Sequence, residues 1–427
     1  MTTTPAPIRV QSPAVPLCDL GRIQALMKAA EVDLICGKED NALYYLSGHY
    51  SDSTLCHFYD DWACALVPAN PQVPAALLIQ EYDLAYQVTK PTWLPELRVY
   101  GSSWSSAGTL LSDIQAGRGI ETELRKPLRA AYERTRATRQ ADLAEAVQAY
   151  VREHFGDRRI RIACDDMRYH AKLKEKLGDK VEVIDALPLL RRIRAVKTQA
   201  EIALLTKAAQ INAKALQTAA TAIHPGAPWG AMVQAYRQSL AISGAKPLGE
   251  RGMLFNSGPD GSFVLDHDYV EQKTFTLGET VVMDAICEYR LYRADMARTA
   301  VIGAASAEQR RMFAAVGKAL EEAESMMRAG THTSAITQHA AQVMSACGFR
   351  PELTTLTMHP IGLQVFDYTE SRHESEGWTL ESDSVVNFEV FYRDSEYGGV
   401  HLEDSVLISA TGARPLAPEP RDLLELH

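Results

Sequence analysis

Apolar residues in the first part of the chain alternate between helical and strand spacing. Residues 20–38 predict a helix followed by a short buried strand, and residues 167–178 predict a further helix. Short apolar runs rich in Val, Ile, Leu and Ala predict additional strands at 63–69, 75–80, 159–166 and 180–186. This alternation between about residue 20 and residue 185 favours an α/β layer.

A boundary falls near residues 187–200, where a charge-rich stretch leads into a helix start. Thr198 followed by Glu201 matches a capping box, in which each side chain satisfies an unpaired backbone donor. Ser306 followed by Gln309 starts a second predicted helix in the same way. A third helix is predicted from about 334 to 347. The helix after Thr198 places apolar residues inward at Ile202, Leu205, Ala209, Ala213 and Leu216.

Strand-like segments lie between and after these helices. Residues 279–303 and 384–409 each predict two strands joined by a turn, so the C-terminal half is expected to be α+β with two hairpins. Four prolines in the first 16 residues predict an extended arm. We therefore expect an arm at 1–17, an α/β domain at 18–190 and a second domain at 191–427.

Composition narrows the class of protein. A chain of 427 residues predicts two or three domains, and the net charge of −10 argues against nucleic-acid partners. Neither a membrane-spanning run nor a secretory signal is found in the sequence. The seven cysteines are scattered and odd in number, which favours reduced thiols and a cytoplasmic location.

Both predicted hairpins carry acidic residues among apolar neighbours. A buried carboxylate must protonate, form an ion pair or bind a metal. An ion pair with Arg293 or Arg298 would explain one of these residues, but two matched pairs favour a site for hard divalent cations. The four acidic residues are Asp284, Asp295, Glu389 and Glu403.

A histidine adds a ligand of a second kind. His359 lies between the two hairpins in the sequence and shortly before Gly362. Imidazole combined with carboxylates suits Mn, Co, Zn or Fe, and the sequence does not distinguish among these metals. The residues alone favour a metal site modestly over separate ion pairs.

Taken together, these residues resemble the pita-bread metallopeptidases, which include aminopeptidase P, prolidase and creatinase. Asp284 and Asp295 have the family's spacing of 11, and Tyr292, Arg298 and Thr299 fit the segment around the second aspartate. His359 before a glycine-containing turn, Glu389, and Glu403 followed by Asp404 complete the ligand set that the resemblance implies. The implied fold is a pita-bread catalytic domain preceded by a creatinase-like α/β domain.

The resemblance also extends beyond the ligands. Residues 256–269 resemble the family's stretch that ends in a substrate-facing histidine, here His267. The match is strong over about 190–412 and weaker over 20–185. It implies a homodimer, a bound pair of divalent ions, and a small peptide or small molecule as the substrate.

Departures from the family pattern fall where the substrate is expected. The peptidases carry a second histidine seven residues after the ligand histidine, followed by Glu, whereas this chain has Phe366 and Asp367. Where the family has an arginine two residues before the last glutamate, this chain has His401, which is a candidate contact of a ligand carboxylate. We predict substrate-binding roles for His267, Phe366, Asp367 and His401.

By resemblance, the chain is expected to be a metallohydrolase that cleaves the amide bond of an Xaa-Pro peptide with metal-activated water. Glu389 would carry a proton from water to the leaving nitrogen, and His267 would orient the substrate. Phe366 favours an alternative, a creatinase-like C–N hydrolase or a lyase acting on a small molecule. A binding module without catalysis is disfavoured, because unused buried carboxylates destabilise a core.

Overall fold

The structure is a computed structural model that describes residues 15–57, 61–101, 105–136, 139–249, 252–263, 270, 272–367 and 377–427. The chain divides into two compact units, Met1–Ile193 and Arg194–His427. None of the described helices is long and apolar enough to cross a membrane. Each unit is built around its own β-sheet.

The N-terminal unit contains a mixed sheet flanked by helices. Its strands are β1 (Leu34–Gly37), β2 (Ala63–Pro68), β3 (Ala76–Gln80), β4 (Glu96–Tyr100), β5 (Ile160–Cys164) and β6 (Val181–Asp185). Its helices are α1 (Leu20–Ala29), α2 (Asp40–Ser47), α3 (Asp52–Leu55), α4 (Leu84–Thr89), α5 (Ser105–Gln115), α6 (Arg125–Arg136), α7 (Leu143–Phe155) and α8 (Met167–Leu177), and α9 (Leu187–Arg194) follows them.

The strand order in this sheet is β4-β3-β2-β1-β5-β6. Strand β1 pairs parallel with β5 and antiparallel with β2, which is also antiparallel to β3. Every residue of β1, β2 and β3 is buried, as expected where helices cover both faces of a sheet. The strands and helices predicted in this part of the sequence are therefore confirmed.

The C-terminal unit wraps helices around a larger sheet. Its helices are α10 (Gln199–Ala220), α11 (Trp229–Ile242), α12 (Ala307–Met326) and α13 (Thr333–Ala346). Its strands are β7 (Lys246–Pro247), β8 (Met253–Ser257), β9 (Thr280–Tyr289), β10 (Tyr292–Ile302), β11 (Thr354–Pro360), β12 (Val385–Tyr392), β13 (Val400–Ile408), β14 (Ala413–Pro415) and β15 (Leu424–Leu426). The main strand order is β11-β12-β13-β10-β9-β7, with β8, β14 and β15 attached at its sides.

The two predicted hairpins are the centre of this sheet. Strands β9 and β10 are joined by Arg290 and Leu291, which both have positive φ, the conformation of a tight two-residue hairpin turn. Strands β12 and β13 form the second hairpin and lie beside β10. Buried side chains of α12, α13, β12 and β13 form one apolar core against this part of the sheet. This core fixes the strands that carry the acidic residues.

Helix starts are also as predicted. The Thr198 hydroxyl accepts from the Glu201 amide at 3.3 Å, and the Glu201 carboxylate accepts from the Thr198 amide at 2.9 Å. Ser306 and Gln309 form the same reciprocal pair at the start of α12. Both capping boxes therefore exist, and each satisfies two backbone donors that the helix itself leaves unpaired.

The cap at Thr198 gives a direct test of local stability. We expect Thr198→Ala to lower the opening free energy of α10 by about 1 kcal/mol, because the Glu201 amide loses its acceptor. Native-state hydrogen exchange of the first turns of α10 measures this quantity, since global denaturation of two units is not two-state. Thr218→Ala in the same helix is the control, because its hydroxyl lies far from the first turn and bonds to the Lys214 carbonyl and to Ser239. Equal protection in the two variants would contradict the capping role.

Candidate metal centre

Strand register explains why residues distant in sequence meet at one place. Asp284 on β9 lies opposite Ala297 on β10, which lies opposite Glu403 on β13, which in turn lies opposite Glu389 on β12. Side chains two residues apart on a strand share a face. Asp295 therefore lies on the same face as this row, two residues before Ala297. The two hairpins thus gather four carboxylates on one face of the sheet.

The first group of potential ligands joins Asp295, His359 and Glu403. One ligand atom of each lies within 4.8 Å of the other two. His359 Nε2 is 3.9 Å from Asp295 Oδ2 and 3.6 Å from Glu403 Oε1, and all three side chains are buried. Nδ1 of His359 lies 2.7 Å from the carbonyl oxygen of Val365. A proton on Nδ1 donates to that oxygen, so the Nε2 lone pair faces the two carboxylates.

A second group shares one residue with the first. Glu389, His401 and Glu403 also offer ligand atoms that all lie within 4.8 Å of one another. His401 Nε2 is 2.9 Å from Glu389 Oε2, and the imidazole is only 2% exposed. Glu403 belongs to both groups, so its carboxylate lies between two potential cation positions. That arrangement suits a bridging ligand of a two-metal site.

Burial and mutual repulsion perturb the carboxylates of the cluster. Burial raises the pKa of Asp284 from 3.8 to about 7, and the charge of Glu403 adds to the effect. The pKa of Asp295 is raised well above its ordinary value, first by burial and then by the charges of Glu403 and Asp284. Burial alone would raise the pKa of Glu389, but the adjacent His401 holds it below its ordinary value. Two of these carboxylates thus resist ionisation unless positive charge is supplied.

In the two histidines, burial and the neighbouring carboxylates shift the pKa in opposite directions. Burial alone would lower the pKa of His359, but the nearby Glu403 and Glu389 raise it. The pKa of His401 is likewise raised by Glu389, Asp284 and Glu403 against the effect of burial. The cluster therefore has an excess of negative charge that favours cations, whether protons or metal ions.

Unsatisfied oxygen atoms show that divalent ions fit this cluster. Oδ1 of Asp284 and Oδ1 of Asp295 are buried, and neither accepts a hydrogen bond from the described residues. Buried carboxylate oxygens without donors are costly unless a cation compensates them. Carboxylates and imidazoles are also the ligands that Mn, Co, Fe and Zn accept. The residues present therefore suit divalent transition metals.

Polar side chains next to the cluster hold the potential ligands by hydrogen bonds. Asn387 donates to Glu403 Oε1 at 2.9 Å and to the Asp295 carbonyl at 3.2 Å, and Ser405 donates to Asn387 Oδ1. Arg298 donates to the Glu403 carbonyl at 2.9 Å and to Asp404 at 2.8 Å. These bonds hold the backbone and the carboxylate of two strands in one geometry, as outer contacts of metal ligands commonly do.

The strand that carries Asp284 is hydrogen-bonded to a pair of buried polar side chains from helices α10 and α11. Asn212 on α10 donates to the Ala285 carbonyl at 2.6 Å. Tyr236 on α11 donates to Asn212 Oδ1 at 2.6 Å. Sequence analysis did not identify Asn212, Tyr236 or Asn387, because a polar residue in a helix or strand has no distinguishing pattern until the register is known.

The four predicted substrate-binding residues have different surroundings. Phe366 is 47% exposed, and its ring centroid is 4.3 Å from that of His359. Asp367 is buried, and its carboxylate accepts two hydrogen bonds from Arg194, the shorter at 2.7 Å. His401 lies inside the cluster, as described above. His267 lies outside the described residues.

Comparisons with known proteins agree with this architecture. A sequence model of the family described as metallopeptidase family M24 matches residues 203–410. The Xaa-Pro dipeptidase of Pyrococcus furiosus is 26% identical over 237 residues, which cover 55% of this chain and 67% of that protein. The Xaa-Pro dipeptidase of Pyrococcus horikoshii is 25% identical over 254 residues, covering 59% of this chain and 71% of that protein.

Solved structures extend the similarity to the fold of nearly the whole chain. The Xaa-Pro dipeptidase from Bacillus anthracis gives a TM-score of 0.71 at 18% identity, covering 95% of this chain and 99% of that chain. The prolidase from Pyrococcus horikoshii OT3 gives a TM-score of 0.68 at 20% identity, with the same coverage of both chains. The predicted fold, an α/β domain followed by a pita-bread domain, is confirmed.

The raised pKa of Asp284 predicts how metal-free protein responds to pH. Between pH 3.8 and about pH 7 the Asp284 carboxyl keeps its proton in the folded state and releases it in the unfolded state. The free energy of unfolding therefore falls as the pH rises through this window. Asp284→Asn removes this titration. In chelator, we expect the stability of the variant relative to the original chain to grow with pH by up to about 1.4 kcal/mol per unit.

Native-state hydrogen exchange of strands β9 and β10 at several pH values measures this difference in opening free energy. Asp422→Asn is the control, because Asp422 is exposed, and its difference from the original chain should stay flat. A pH-independent difference for Asp284→Asn as well would contradict the assignment of a raised pKa to this carboxyl.

Proposed function

This chain belongs to metallopeptidase family M24 and is a metal-dependent hydrolase, and from that premise we propose that it cleaves the amide bond of small Xaa-Pro peptides. The observation that carries the proposal is the cluster on the paired hairpins, in which Glu403 is shared by two groups of potential ligands. Two divalent ions would be held by Asp284, Asp295, His359, Glu389 and Glu403. Mn, Co, Zn and Fe all suit these ligands.

Support for the substrate comes from named relatives. The Pyrococcus proteins that match more than half of this chain are Xaa-Pro dipeptidases. The alternative suggested by Phe366, hydrolysis or elimination on a small non-peptide molecule, is not favoured by these comparisons. The exposed ring of Phe366 beside His359 instead offers an apolar surface at the metal centre. The ring of a substrate proline is also apolar and could pack against the Phe366 ring.

The proposed chemistry divides between the ions and the protein. Divalent ions supply a lowered pKa for water and polarise a substrate carbonyl. Glu389 is the general base that takes the proton from water and passes it to the leaving nitrogen. Its lowered pKa keeps it ionised at neutral pH, and its carboxylate is the more accessible of the two on this hairpin, at 17% against 3% for Glu403.

The other predicted site residues receive distinct roles in this proposal. His267 orients the substrate, as the family resemblance implies. Phe366 forms part of the substrate surface beside His359. Asp367 anchors the loop that carries Phe366, because Arg194 binds both of its oxygens. His401 acts on Glu389 from within the cluster.

We also propose a cytoplasmic homodimer. None of the seven cysteines forms a disulfide bond, which is consistent with a reducing compartment. The homodimer rests on the family resemblance.

A peptide panel tests the proposed reaction. The chain is stripped with chelator, reloaded with Mn, Co, Zn or Fe, and incubated with Xaa-Pro dipeptides, longer Xaa-Pro peptides and matched Xaa-Ala peptides. Mass spectrometry identifies the products. We expect metal-dependent cleavage of the bond before proline and little cleavage of the Xaa-Ala series. Metal-loaded protein that cleaves none of the peptides would contradict the proposal and return attention to a small-molecule reaction.

Substitution of the proposed base gives a second test. We expect Glu389→Gln to lower kcat by about 10²–10⁴-fold, because the amide has no proton acceptor of suitable basicity. Glu396→Gln, an exposed change in the connection between the same two strands, serves as the control. Steady-state kinetics on the best Xaa-Pro peptide measure both. Turnover by Glu389→Gln within a few-fold of the original chain would exclude the assigned role.

A further inference from the structure

A second imidazole faces the carboxylate cluster, and we propose that His401 is a direct ligand of one of the two metal ions. The inference rests on the dinuclear centre proposed above and adds a residue to its five ligands. Each ion would then receive one imidazole nitrogen, from His359 at one position and from His401 at the other. Glu403 would contribute to both positions.

Position on the strand directs the side chain into the site. His401 lies two residues before Glu403 on β13, so both side chains are on the same face of the sheet. The imidazole is 2% exposed, and Nε2 lies 2.9 Å from Glu389 Oε2. Nε2 and the carboxylates of Glu389 and Glu403 all fall within 4.8 Å of one another, close enough for one ion to bind all three.

Among the described residues, neither ring nitrogen of His401 has a hydrogen-bonding partner of good geometry. Neither Nδ1 nor Nε2 of His401 makes an aligned hydrogen bond with the described residues, although Nε2 is near Glu389. An imidazole that served only to orient Glu389 would be expected to donate a well-aligned hydrogen bond to it. A buried nitrogen that approaches two carboxylates without that alignment is better explained as a lone pair directed at a cation.

Neighbouring residues fix the imidazole before any ion binds. The ring stacks on Phe391 with 4.7 Å between centroids and 13° between planes. Arg393 contacts the same phenyl ring, with its guanidinium 4.2 Å from the Phe391 centroid. Thr299 Oγ1 accepts from the His401 amide and donates to its carbonyl, both at 2.9 Å. Preorganisation of this kind is what a ligand of defined geometry requires.

A nitrogen ligand at each position has consequences for metal choice. Mg and Ca prefer sites made only of oxygen atoms, whereas Mn, Fe, Co and Zn accept imidazole. With an imidazole ligand at each of the two metal positions, both positions favour transition metals over Mg. Without His401 as a ligand, only the position at His359 would have this preference.

Counting coordinated histidines tests the inference without relying on activity. The full chain is loaded with Co²⁺, the bound cobalt per chain is measured, and the paramagnetically shifted proton spectrum is recorded in H₂O and in D₂O. Each coordinated imidazole contributes one shifted N–H signal that disappears in D₂O. We expect two such signals in the original chain and one in His401→Phe, which keeps a ring against Phe391 but has no nitrogen.

Two further variants complete the experiment. His401→Gln should also show one signal, and it keeps the test valid if the phenylalanine variant does not fold. His339→Gln removes a histidine paired with Glu322 at 2.9 Å on the helix α13 and should retain both signals. Metal affinity alone would not discriminate, because loss of an outer contact also weakens binding by about 10–100-fold.

The outcomes separate this inference from the proposed function. One exchangeable signal in cobalt-loaded protein, unchanged in both His401 variants, would overturn the assignment of His401 and leave the metal centre intact. Absence of bound cobalt would overturn the inference together with the dinuclear centre. Two signals that both persist in His401→Phe would also reject His401 as a ligand.

Discussion

Electrostatic repulsion among four neighbouring carboxylates, two of them buried and two half-buried, is the constraint on which the C-terminal unit depends. Burial raises the pKa values of Asp284 and Asp295, and buried oxygens of both lack donors among the described residues. Like charges in a low-dielectric environment are tolerated only when protons or cations compensate them. The fold thus retains an arrangement that costs stability unless protons or cations compensate its charge.

The sheet makes this arrangement possible because its register is fixed by apolar packing on the face opposite the carboxylates. The apolar core between α12, α13 and the second hairpin sets the position of Glu389 and Glu403. Asn387 then joins Glu403 to the backbone of Asp295 on the first hairpin. Activity is therefore expected to depend on strand alignment as much as on the ligands themselves, since a one-residue slip would turn every ligand to the opposite face.

Sequence analysis predicted the elements whose signals are local. The capping box at Thr198 and the apolar strands around Asp284 are visible in short windows, and both exist in the structure. Contacts that depend on strand register were not predicted. The sequence around Asn387 does not distinguish it from any other polar residue in a strand. The stack of His401 on Phe391 follows only when the two residues are known to be opposite each other on paired strands. The surroundings of Asp367 likewise depend on Arg194, a residue 173 positions earlier in the chain.

We propose above that the paired hairpins bind two divalent ions and that Glu403 is a ligand of both. The most direct test counts ions per chain by elemental analysis after chelation, reloading with Mn, Co, Zn or Fe, and removal of excess metal. We expect about two bound ions per chain in the original protein and in Glu396→Gln. We expect fewer in Glu403→Gln, because Glu403 belongs to both ligand groups. Protein that retains no ion, or a Glu403→Gln variant that retains the full number, would contradict the account.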